Sequence, residues 1–123
     1  MEIRIGYGFN DDNNINKEES DILEQMIPNL NVMYPDKLKI VANTTDYTTL
    51  QYNDLDIIRV KSTLSTQWLK VRISTKVRKE QAENPLFNEQ VKKTETMWKC
   101  RVSDIDKLYP YINDSIKEIF KEQ

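Results

Sequence analysis

The chain reads as an α+β domain in two layers, a mostly antiparallel sheet packed on a C-terminal helix, with an additional acidic helix near the N-terminus. Three observations predict this. In the centre of the chain, basic pairs recur two residues apart inside apolar alternation: Arg59 and Lys61, Lys70 and Arg72, Lys99 and Arg101. Side chains two apart on a strand share a face, so the interleaved Ile58, Val60, Leu69, Val71, Ile73, Cys100 and Val102 point the other way. Near the C-terminus, Ile105, Leu108, Ile112, Ile116 and Ile119 recur at helical spacing. Between the central strands the links are of hairpin length, which favours antiparallel pairing.

Taken in order, residues 1–6 alternate loosely and suit an edge strand, and the polar, Asn/Asp-rich stretch 7–16 suits a loop. Asn16 is placed to cap a helix over 17–27, with Glu18, Glu19 and Asp21 in its first turns, where the macrodipole favours anions. Ile22, Leu23, Met26 and Ile27 form its apolar stripe, and Pro28 limits it. Strands are expected over 37–42, 47–52, 55–62, 67–74 and 96–102, with a turn at 43–46 and hairpin chemistry at Asn53 and Asp54. A polar stretch over 75–95 carries one apolar knot at Pro85, Leu86 and Phe87. Ser103, with Asp106 three residues on, resembles a capping box. Pro110 would clash with a carbonyl deep inside a helix, so a short turn is expected over 104–109 and the main helix from Pro110 to about residue 121.

The length of 123 residues suits one domain spanning 1–123 with a modest core. No early segment has the makeup of a signal peptide, and no apolar run approaches the ~18 residues of a membrane span. With its single cysteine, Cys100, the chain is expected to be soluble and cytoplasmic, with no membrane partner. Abundant Asn, Ile and Lys with scarce Ala and Gly fit an AT-rich coding sequence, as in low-GC bacteria and their phages and plasmids.

Several chemistries lack their residues. There is no histidine, which removes the commonest general base and metal ligand. One cysteine without histidine leaves no zinc set. The two glycines, Gly6 and Gly8, make a lone G-x-G without the rest of a phosphate-binding loop. The carboxylate pairs Asp11 with Asp12, Asp54 with Asp56, and Asp104 with Asp106 are the remaining candidates for a divalent ion or acid–base work. The last two pairs fit turn and helix-start roles as well. Neither a catalytic residue nor a cofactor or metal site is assigned. Cys100 alternates with Trp98 and Val102 and should face the core as a small hydrophobe.

The net charge of −2 hides a division. Residues 1–36 carry eight acidic and two basic side chains, and residues 59–103 carry eleven basic and four acidic. The candidate binding residues are therefore Arg59, Lys61, Lys70, Arg72, Lys99 and Arg101, with Trp68 on the same strand face as Lys70 and Arg72. Such a face can be solvated, covered by the acidic helix around Glu18, Glu19, Asp21 and Glu24, or turned to an external anion. Lys76, Arg78, Lys79, Lys92 and Lys93 extend the positive region. Against nucleic acid stands a pI of about 5.2. The plainer reading of Trp68 is that it caps the end of the sheet beneath a loop, packing on Phe87.

From Arg59 onward the chain runs R-V-K, W-L-K-V, P-L-F-N-E-Q-V-K-K, M-W-K and a terminal helix. In Trp68, Phe87, Gln90, Lys93, Trp98 and Lys99 it resembles a small bacterial and phage α+β domain of unknown function, found in predicted transport or defence-associated proteins. The resemblance covers about residues 47–120 and implies an accessory domain without catalytic residues. The expected function is a non-enzymatic binding or regulatory module acting on a protein partner, in its narrower form a phage- or plasmid-encoded inhibitor of a host enzyme or defence system. The alternatives are nucleic-acid binding through the basic face and a carboxylate-based metalloenzyme.

Overall fold

A computed structural model describes residues 7–9, 17–43, 47–76 and 96–121. The expected strand over 1–6, the Asn16 cap, the turn residues 44–46 and the stretch 77–95 with Phe87, Arg78, Lys79, Lys92 and Lys93 lie outside the described residues. The fold is α+β, as the periodicities require. Strands β1 (Tyr7–Phe9), β2 (Leu38–Asn43), β3 (Tyr47–Tyr52), β4 (Leu55–Ser62), β5 (Gln67–Arg72) and β6 (Met97–Cys100) lie side by side in chain order. Five form an antiparallel array, and β1 pairs in parallel with β2. Residues 7–9 therefore correct the expected loop: they are a strand, in which Gly8 pairs with Lys39.

Register decides which residues meet. Ile40, Leu50, Ile58, Val71 and Trp98 lie opposite one another across five strands, and all but Trp98 are β-branched or leucine, the chemistry of a half-buried sheet. All five are fully buried. Burial of each such side chain contributes about 1.5–3 kcal/mol. Thr48, Val60, Leu69 and Cys100 form the next row on the same face. Asn53 and Asp54 join β3 to β4 with φ of 53° and 65°, both in the left-handed region that a two-residue primed turn demands.

Helix α1 (Lys17–Met26), continued by a 3₁₀ turn over Ile27–Asn29, packs Leu23 and Met26 into this core. The carboxylate of Glu19 is only 3% exposed and accepts from Thr48 Oγ1 at 2.7 Å and from the Ser62 backbone N–H at 2.8 Å. Thr48 and Ser62 alternate with Thr49 and Lys61, so these bonds hold the acidic helix on the aliphatic face of the sheet. Helix α2 (Ile105–Lys121) covers the same face through Leu108, Ile112 and Ile116. Its Asp114 and Glu118 accept from Ser74 Oγ at 2.6 Å and from the Thr75 N–H at 2.9 Å, fixing the chain as it leaves β5.

Two local expectations change near α2. Ser103 lies inside a 3₁₀ turn over Val102–Asp104, two residues ahead of the helix, and so does not cap it. Pro110 does not start the helix but sits within it. An internal proline costs about 3 kcal/mol. Here the proline is on the exposed side, where the freed Asp106 carbonyl can meet water, and the fully buried Leu108 and Ile112 hold both flanks against the sheet. Packing of the apolar stripe outweighs the local breaker. Among the described residues no helix is long and apolar enough to cross a membrane.

Candidate binding face

One residue out of step with the apolar row, Val41, Thr49, Arg59, Lys70 and Lys99 form a second row on the opposite side of the sheet. Neighbouring strands are about 4.8 Å apart, so three cations stand abreast. Lys61 lies opposite Trp68, and Arg72 opposite Met97, on the same side. Five of the six expected cations thus share one sheet face. Arg101 is the exception: β6 ends at Cys100, and Arg101 is an exposed residue whose carbonyl accepts the Asp104 N–H of the following turn. Both described helices lie on the other side, so the acidic helix does not cover the cations.

Like charges directly opposite one another disfavour pairing by some tenths of a kcal/mol each. The face offsets this with aromatics and one acid. Lys70 Nζ stands 5.2 Å from the centre of the Trp68 ring, and the Arg59 guanidinium 5.6 Å from that of Tyr47. The two rings lie 5.7 Å apart, tilted by 55°. Each cation–π contact at a half-exposed site is worth about 0.5–1 kcal/mol. Tyr47 is the residue that sequence reasoning missed. Its signal was present, since Tyr47, Thr49 and Gln51 alternate with the core-facing Thr48, Leu50 and Tyr52.

The acid is Asp56. It is three residues from Arg59, and in a regular strand an odd separation places two side chains on opposite faces. A bulge intervenes: Leu50 pairs with Ile58 and Gln51 with Asp56, leaving Ile57 without a partner on β3. The extra residue turns Asp56 onto the basic face while both Ile57 and Ile58 remain buried. Arg59 Nε and Nη2 donate to Asp56 Oδ2 at 2.9 and 2.8 Å, and Gln51 donates to Oδ1 at 2.9 Å. Arg72 Nε donates to the Asp56 carbonyl at 2.6 Å. The candidate carboxylate pair Asp54 and Asp56 is divided between different partners. Asp54 is exposed in the turn, 4.0 Å from Lys39, while Asp56 is committed to arginine.

Cys100, beside Lys99 in sequence, faces the core with 1% exposure, and burial, helped by the charge of Asp104, pushes its thiol up to about 12. It packs in the core cluster as a small hydrophobe. Among the described residues no group of three or more acidic or cysteine side chains is placed to hold a metal ion. The chain matches no protein-family model, no curated protein and no solved structure.

Proposed function

We propose that the protein is a non-enzymatic binding module that docks an acidic patch of a protein partner onto the sheet face bearing Arg59, Lys61, Lys70, Arg72 and Lys99. The observation that carries this is the row Arg59, Lys70 and Lys99, in register and flanked by Trp68 and Tyr47 on the side away from both helices. Trp, Tyr and Arg are the side chains that dominate binding hot spots, because they combine large contact area with few torsions to fix. Ring contacts hold Lys70 and Arg59 in place before a partner arrives, which lowers the ordering cost of association. Arg101, exposed just past β6, belongs to the rim rather than the centre.

A protein partner fits better than nucleic acid. The face contains a fixed carboxylate among its cations, and the chain as a whole carries a net charge of −2. Both disfavour an evenly spaced phosphate backbone. In its narrower form the partner is a host enzyme or defence factor that the module blocks, in keeping with the compositional bias and the accessory-domain resemblance.

Affinity capture from a low-GC bacterial lysate tests the proposal, with the wild type run beside Lys70→Glu and Trp68→Ala. A protein retained by the wild type at low and physiological salt and lost by both variants is the expected result. Recovery of no protein that depends on these residues overturns it. So does a gel shift of the wild type with DNA or RNA at ~50 mM salt, where phosphate contacts are strong.

A further inference from the structure

We infer that Asp56 is an internal competitor that occupies the arginines of the basic face and makes the face selective for proteins over polyanions. This rests on the binding role proposed for that face. Four facts converge on it. A bulge, and not regular alternation, brings Asp56 to the cationic side. Its carboxylate takes the Nε/Nη2 edge of Arg59, the edge that would otherwise grip a phosphate with two parallel bonds. The Asp56 carbonyl takes Nε of Arg72, the second arginine of the face. Gln51 anchors the other carboxylate oxygen, so the acid cannot swing away without losing a further bond.

The consequence is a division of labour among the cations. The arginines are held by Asp56, whereas Lys70 is held only loosely, over an indole ring. Lysine is a point charge that meets a single carboxylate well, and arginine is the better fork for phosphate. A nucleic acid laid along the Arg59–Lys70–Lys99 row would place phosphates beside a fixed negative charge. A protein surface can set a donor or cation opposite Asp56 and a carboxylate opposite Lys70. Specificity of this kind comes from a built-in repulsion rather than from an added attraction.

Removing the charge while keeping the shape isolates the effect. Asp56→Asn should convert the face into a polyanion binder. Fluorescence anisotropy with a short oligothymidylate at low salt should show affinity about tenfold or more above the wild type, and a log–log salt slope steeper by about 0.7 for the Arg59 contact released, Arg72 staying on the backbone carbonyl. Asp54→Asn, which raises the net charge equally from the exposed turn, should give no such gain, whereas a general effect of net charge would make the two substitutions alike. Asp56→Ser serves as the second variant. Unchanged oligothymidylate binding in a folded variant overturns the inference. So does failure of both variants to fold, because the carboxylate would then be a structural bond. Failure of the protein-docking proposal is read separately, from Lys70→Glu in the capture experiment, where Asp56 is intact.

Discussion

The two faces of this sheet use the same backbone and opposite physics. Ile40, Leu50, Ile58, Val71 and Trp98 form one row, and Val41, Thr49, Arg59, Lys70 and Lys99 form the row displaced from it by one residue. The first row is stabilised by what it removes from water and needs no particular partner beyond a good fit. The second sets cations side by side, which costs stability, and recovers it through an acid and two rings. The comparison teaches that strand pairing fixes the fold from one face and leaves the other free to carry charge that the fold does not require.

Exchange of neighbours across that divide is the sharpest way to break the comparison. Trp98→Ala should cost about 3–5 kcal/mol in urea unfolding, since it empties the largest fully buried side chain. Lys99→Ala, one residue on and facing the other way, should cost under about 1 kcal/mol. Similar costs for the two would mean that the basic face is as much a part of the core as the aliphatic one.

The next effect concerns an acid on the apolar side. Glu19 sits in the first turn of α1, where the macrodipole alone would make it worth about 0.3–1 kcal/mol. Buried against Thr48 and Ser62, it does more. Glu19→Gln leaves one acceptor oxygen where two donors converge and should cost about 2 kcal/mol. Chemical denaturation checks this. A cost within the dipole range would return Glu19 to the role its sequence position suggests, and α1 would then be held on the aliphatic face chiefly by Leu23 and Met26.

Alternation made most of this legible in advance. Period two separated Ile58, Val60, Leu69 and Val71 from Arg59, Lys61, Lys70 and Arg72, and period 3.6 found the α2 stripe. What escaped was whatever breaks a period or depends on a distant segment. The bulge at Ile57 shifts phase within one strand, so the approach of Asp56 to Arg59 could not be read from spacing. Tyr7–Phe9 owes its strand to a parallel neighbour some thirty residues away rather than to its own polar context. Pro110 is tolerated because of the sheet beneath α2, which local helix rules do not see. The candidate face was therefore visible as a set of cations, but the contacts of Tyr47 and Asp56 with Arg59 arise only through pairing.

Cys100 gives a smaller test of how dry the inner face is. Its thiol ordinarily loses its proton near 9.0 and in the fold near 12. Between those values the unfolded chain releases a proton that the native chain keeps, so ionisation favours unfolding as pH rises. Stability from this source is intact below pH 9 and should fall by about 1 kcal/mol by pH ~10. Cys100→Ala, compared with the wild type across that range, should lack this slope after its constant packing loss is subtracted. Parallel slopes, or ready alkylation of the native thiol at pH 8, would show water reaching the inner row.

The smallest expected effect bears most directly on the outer face. Lys70 and Trp68 touch only through the indole ring, and each also has strand neighbours whose loss would confuse a single substitution. A double-mutant cycle, Lys70→Ala with Trp68→Leu, isolates their coupling, expected at about 0.5–1 kcal/mol. Coupling of that size means that the cation is positioned in the free protein, so a partner meets a surface already arranged. Coupling near zero would leave Lys70 a solvated charge, and the outer face would then attract acids over distance without fixing how they dock.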